Sequence, residues 1–129
     1  MRIAVAKETL VNESRVALVP DIIAKLVKQG LEIRVEAGAG EKSFFFDGAY
    51  EQAGAKIISD SDALWRETEV LLKIGVLEES EVDKLQEGSI VISFLNPLGN
   101  PTMVKGLAER KVTAFSMELI PRTSRAQVM

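Results

Sequence analysis

The chain has 129 residues, 47% apolar and 27% charged, which are the proportions of one ordinary globular domain. Its 16 basic and 19 acidic residues leave a net charge of −3 with no basic stripe or tail, which argues against a nucleic-acid or anionic-membrane binder. There is no cysteine and no histidine. A disulfide framework, a thiolate zinc site and a cysteine nucleophile are therefore excluded, and the commonest proton shuttle and metal ligand are missing.

No stretch approaches the roughly 20 apolar residues that span a bilayer. The amino end, Met1 to Lys7, meets its second charge too early for a signal peptide. A cytosolic chain is expected. It stops at Met129 within Pro121–Met129, which reads as structured, so a piece of a longer polypeptide is expected as well.

In chain order, Ile3-Ala4-Val5-Ala6 is an unbroken apolar run, the pattern of a strand buried on both faces. Pro20 suits a first helical position, Ile22, Ile23, Leu26 and Val27 form an apolar face, and Gly30 supplies the stop. Glu32-Ile33-Arg34-Val35-Glu36 alternates, which predicts a strand with one wet face, nearer an edge. Short helices are predicted at Asp47–Ala53, Ser61–Arg66 and Glu79–Leu85. Lys56-Ile57-Ile58 reads as a short extra strand.

Val70-Leu71-Leu72 and Ile90-Val91-Ile92-Ser93-Phe94 are further buried-strand runs, and Val112 to Ser116 is another strand candidate. Between the last two, Asn100 is expected to cap a helix that starts at Pro101 and turns Val104, Leu107 and Ala108 inward. Strands alternating with helices imply crossovers on both faces of a sheet. The expected class is α/β: a three-layer, flavodoxin-like or Rossmann-like doubly wound, mostly parallel sheet of about five strands.

Ligands of such sheets meet the loops beyond the carboxyl ends of the strands. Those loops deliver Lys7, Glu8, Arg15, Lys73, Asn96, Met117, Glu118 and the segment Pro121 to Gln127. Arg15, Lys73, Arg122 and Arg125 could converge on one rim suited to a carboxylate or phosphate. Gly38-Ala39-Gly40-Glu41-Lys42-Ser43 lacks the third glycine of a dinucleotide fingerprint, and it lacks the glycine directly before Lys-Ser that a P-loop needs. It reads as a glycine turn leaving a strand. Phe44-Phe45-Phe46 and Trp65 read as core or subunit contacts. Glu8, Glu13, Glu41 and Glu118 show no paired-acid spacing, and metal binding has no support.

Several segments are similar to a known family. Met1-Arg-Ile-Ala-Val-Ala-Lys-Glu-Thr followed by Asn12-Glu-Ser-Arg-Val-Ala-Leu-Val-Pro20 resembles the opening shared by alanine dehydrogenase and the proton-translocating NAD(P) transhydrogenase α subunit. Val35-Glu-Ala-Gly-Ala-Gly40, Tyr50-Glu-Gln-Ala-Gly-Ala55 and Leu71-Leu-Lys-Ile match too. Pro121-Arg-Thr-Ser-Arg-Ala-Gln127 resembles the transhydrogenase loop that touches NAD(H), which the dehydrogenases lack.

The resemblance implies the amino-terminal Rossmann-like domain, residues 1–129, of an NAD(H)-binding component, with the glycine-fingerprint domain further along. It implies that Arg122 and Gln127 meet the nicotinamide end of NAD(H). Arg15 and Lys73 match positions that bind the keto acid in alanine dehydrogenases. It also implies NADP(H) on a partner component, a transmembrane partner that makes the assembly peripheral to a membrane, and a homodimer.

Where the dehydrogenases supply an acid/base histidine, this chain has Ser93-Phe-Leu-Asn-Pro97. Hydride transfer between two nicotinamides makes no O–H or N–H bond, so no catalytic acid or base is expected. The alternatives are the substrate domain of an alanine dehydrogenase-like enzyme and a non-catalytic assembly domain in which Phe44-Phe45-Phe46 forms a subunit contact.

Overall fold

Short β-branched runs without polar alternation become stable only when helices cover both of their faces. The computed structural model of the chain describes residues 1–8, 13–96 and 99–117. It places such runs at the centre of a parallel sheet. In chain order the elements are β1 (Arg2–Val5), α1 (Pro20–Lys28), β2 (Glu32–Glu36), a 3₁₀ turn (Glu41–Ser43), α2 (Asp47–Gln52), β3 (Lys56–Ile58) and α3 (Ser61–Glu67). They continue with β4 (Val70–Leu72), α4 (Glu79–Val82), β5 (Ile90–Ser93), α5 (Pro101–Glu109) and β6 (Thr113–Ser116). The sheet has six strands in the order β3-β2-β1-β4-β5-β6, every pair parallel.

Strand order turns back at β1, and the helices change sides there. Ala4, Ala6, Leu71 and Val91 pack with Leu64, Trp65, Val82, Met103 and Leu107 from α3, α4 and α5. Ile3, Val5, Ile33, Val35 and Val70 pack with Ile23 of α1 and Tyr50 of α2. Crossovers of one hand require this switch when the winding reverses. The expected doubly wound class is observed. The short run Lys56–Ile58 completes it as an edge strand, which makes six strands.

The alternation in β2 has a different cause from the one expected. Arg34 does not face open water: its side chain is 14% exposed and its guanidinium reaches Glu67 of α3 at 2.6 Å. Glu32 meets Lys56 at 3.1 Å and Arg2 at 3.3 Å. The polar face of β2 is an ion-paired seam beneath α3 and beside β3.

Helix α1 starts with Pro20 at its first turn and stops before Gly30, whose φ of 92° favours glycine. Ile23 is buried and Ile22 lies off the buried face. In α5, Asn100 stands at the N-cap position without capping. Its Nδ2 instead donates to Leu95 O at 3.3 Å and Asn96 O at 2.9 Å. The buried face of α5 carries Met103 and Leu107, whereas Val104 and Ala108 are exposed. The reason is α4: a Cβ at Gly106 would lie 3.3 Å from Val82, so α4 packs on that face.

Gly40 is fixed by packing. A Cβ there would sit 2.6 Å from Phe45 O and 2.6 Å from the Tyr50 hydroxyl. That hydroxyl donates to Leu18 O at 2.9 Å, and burial pushes its pKa up to about 12. We expect Gly40→Ala to lower the unfolding free energy by roughly 1–3 kcal/mol, because neither backbone nor a buried ring can give way cheaply. Urea denaturation measures it, and an unchanged midpoint would contradict the packing described.

Candidate functional site

Where the winding reverses, the chains leaving β1 and β4 diverge and open a crevice beyond their carboxyl ends. Glu8 follows β1 and Lys73 follows β4, so the strand order alone brings these two residues together. The Lys73 ammonium lies 3.1 Å from Glu8 Oε1, with side-chain exposures of 0% and 2%. The backbone N–H of Ile74 donates to Glu8 Oε2 at 2.8 Å, and that of Gly75 to Oε1 at 2.8 Å. From the neighbouring strand, the Ser93 hydroxyl donates to Gly75 O at 2.7 Å. The carboxylate therefore holds a buried cation and two backbone donors, and Gly75 is gripped through both its N–H and its carbonyl.

Arg15 occupies the wet side of the same region. Its Nε and Nη2 donate to Glu13 Oε2 and Oε1 at 2.9 and 2.8 Å, and its guanidinium carbon stands 6.0 Å from the centre of the Phe94 ring. The Arg15 guanidinium holds the Glu13 carboxyl well below the usual range, at about 2. A small cavity of about 80 Å³ is lined by Lys7, Glu8, Glu13, Arg15, Gly38 and Lys42, among others. The Ser43 hydroxyl donates to Ser14 O and ties the glycine turn to the Arg15 loop.

Roomier grooves lie elsewhere. One of about 470 Å³ runs between Val76–Glu78 and the start of α5, and one of about 310 Å³ lies between α4 and α5. Neither gathers converging charges of one sign.

Of the residues expected on one rim, Arg15 is exposed and forked on Glu13, while Lys73 is buried beneath Glu8. Arg122, Arg125 and Gln127 lie outside the described residues. Asn96 follows β5 with φ 44°, and its carbonyl accepts from Gly99 N at 3.1 Å. The glycine turn is no phosphate cradle, since Tyr50 and Phe45 O fill the space beside Gly40 and only a three-residue 3₁₀ turn follows. In the aromatic run, Phe45 packs on the core, while Phe44 and Phe46 are 84% and 60% exposed. Reading residues by type singles out Glu8 and Lys73 separately. Their pairing follows only from β1 and β4 being neighbours.

A family model described as alanine dehydrogenase/PNT, N-terminal domain, matches residues 4–129. The chain is 40% identical, over its whole length, to the first part of NAD(P) transhydrogenase subunit alpha of Rhodospirillum rubrum, covering 35% of that protein. It is 32% identical to alanine dehydrogenase of Mycobacterium tuberculosis over 93% of the chain and 32% of that enzyme. Among solved structures, the crystal structure of transhydrogenase from Sinorhizobium meliloti superposes with a TM-score of 0.93 at 36% identity. It covers all of this chain, which in turn covers 38% of that one. The chain spans about a quarter to a third of the length of the curated relatives it matches.

Removing one member of a buried pair strands the other charge. We expect Lys73→Met to cost about 3–5 kcal/mol of stability and Glu8→Gln a similar amount. The double variant should cost clearly less than the two added together, as read by urea unfolding; strict additivity would deny the pair. The Glu13–Arg15 fork is a separate case. A carboxyl with a depressed pKa contributes stability that is full above the ordinary value near 4.5 and lost as pH falls through about 2. In Arg15→Gln, the Glu13 carboxyl should titrate back toward 4.5, followed by carboxyl-carbon NMR.

Proposed function

Because the chain belongs to the alanine dehydrogenase/PNT N-terminal domain family, we propose that it is the amino-terminal domain of the NAD(H)-binding component of a transhydrogenase. The observation that carries the choice within the family is Asn96, which stands at the exit of β5 in a chain with no histidine. An amide has no proton to give or take near neutral pH, and reductive amination of a keto acid needs such a proton. The higher identity to transhydrogenase than to alanine dehydrogenase supports the same choice.

In the proposed reaction a hydride, carrying both bonding electrons, leaves C4 of NADH and bonds to C4 of NADP⁺, giving NAD⁺ and NADPH. The protein is asked for alignment of two carbons and exclusion of water. Arg122 and Gln127 are proposed to orient the dihydronicotinamide ring. The adenine and pyrophosphate are proposed to rest on a glycine-fingerprint domain further along the polypeptide. NADP(H) is proposed to sit on a partner component, with proton movement in a transmembrane partner and the NAD(H) component a homodimer at the membrane surface. Among the described residues, no helix is long and apolar enough to cross a membrane.

Arg15 and Lys73 receive no keto-acid role in this proposal, because hydride transfer between two nicotinamides involves no keto acid; Lys73 is also buried against Glu8.

The test uses the longer protein assembled with its partner component. NADH should reduce an NADP⁺ analogue whose reduced ring absorbs at its own wavelength. Arg122→Ala and Gln127→Ala should each lower turnover by about tenfold or more, a barrier change of roughly 1.4 kcal/mol. Residues 1–129 alone should bind NADH weakly or not at all. Pyruvate- and ammonia-dependent oxidation of NADH by the assembled protein would overturn the proposal in favour of a dehydrogenase.

A further inference from the structure

We infer that Glu8 is a positioning residue: by gripping Lys73, Ile74 and Gly75 it fixes the β4 exit as the floor against which the nicotinamide ring lies. The inference rests on the function proposed above and assigns that site its internal support.

Three features carry it. First, Glu8 belongs to the β1 exit, yet among the described residues its three side-chain hydrogen bonds go to the β4 exit, so it bridges the two strand exits at the switch point. Second, the segment it holds includes a glycine, the residue with the widest backbone freedom. Gly75 is held by Glu8 through its N–H and by Ser93 through its carbonyl. Without these anchors the chain would be loosest where a ligand of a doubly wound sheet sits. Third, the Lys73 side chain has no exposed surface, and among the described residues Glu8 Oε1 is the one side-chain acceptor its ammonium meets. The carboxylate thus fixes the cation as well as the backbone.

Hydride transfer depends on the approach of two carbons, so a floor displaced by about 1 Å costs on the order of 100-fold in rate. Affinity behaves differently. With adenine and pyrophosphate held elsewhere, loosening the floor leaves most of the binding interactions in place.

The experiment compares Glu8→Gln, Glu8→Asp, Ser93→Ala and, as a destabilised control in the α5 core, Leu107→Ala, each in the longer protein with its partner component. Glu8→Gln should lower kcat by about 10- to 100-fold while the KM for NADH stays within about twofold. Glu8→Asp, which restores the charge on a shorter arm, should recover part of the loss. Leu107→Ala should keep the kcat of the parent protein. In parallel, amide hydrogen exchange at Ile74 and Gly75 should speed by about tenfold or more in Glu8→Gln relative to Leu107→Ala.

An unchanged kcat in Glu8→Gln, unchanged exchange at the two amides, or an equal kcat loss in Leu107→Ala would each overturn the inference. Should Glu8→Gln fail to fold, Ser93→Ala decides, since it removes one neutral hydrogen bond. A severalfold fall in kcat at constant KM supports the inference, and an unchanged kcat defeats it. If the parent protein moves no hydride while the Ile74 and Gly75 amides still respond, the proposed function fails and takes the positioning role with it, leaving only a structural clamp.

Discussion

A carboxylate and an ammonium taken out of water lose several kcal/mol of hydration each, and their mutual attraction offsets this only when the remaining donors and acceptors are met. Glu8 and Lys73 satisfy that condition through the backbone. Two amide hydrogens complete the carboxylate's set, and both side chains are almost wholly buried. The loop after β4 is tied to β1 by this arrangement. It joins the exits of β1 and β4, the two strands between which the winding reverses, and it fixes where the loop after β4 can run.

The surroundings follow the same division between held and open groups. On the polar face of β2, Arg34 is paired with Glu67 of α3, and Glu32 with Lys56 of β3 and with Arg2. At the crevice, Lys73 is consumed by Glu8, while Arg15 sits outside with its guanidinium forked on Glu13. A buried cation locked by its own carboxylate is suited to shaping a cavity. An exposed guanidinium paired with a neighbouring carboxylate can exchange partners at little cost, because an ion pair in water is weak. The two cations that the sequence makes look equivalent therefore differ in kind.

This division supports the proposed hydride transfer, which would need geometry more than proton transfer. Asn96 follows β5, and the backbone N–H groups of Ile74 and the buried Gly75 are held by the Glu8 carboxylate. The glycine turn after β2, which by composition resembles a nucleotide loop, is instead closed by Tyr50. The curated relatives it matches are roughly threefold to fourfold longer than this chain.

Local chemistry made much of the fold legible in advance. Apolar runs, Pro20, Gly30 and the alternation of β2 mark elements because each acts within a few residues of itself, and residue types with strong local preferences hold them wherever they fold. The motif from Pro121 to Gln127 pointed to NAD(H) only through its resemblance to a loop of a known family, and it lies outside the described residues. Other features depended on what packs where. Val104 and Ala108 turned outward because α4 covers the opposite face of α5, and Asn100 gave up its cap to tie the loop before it. Arg34 went under α3. Glu8 met Lys73, 65 residues away, only because strand order set β1 beside β4. Pairings of that range are decided by which strands become neighbours, and neighbourhood is a property of the whole sheet that no short stretch of chain contains.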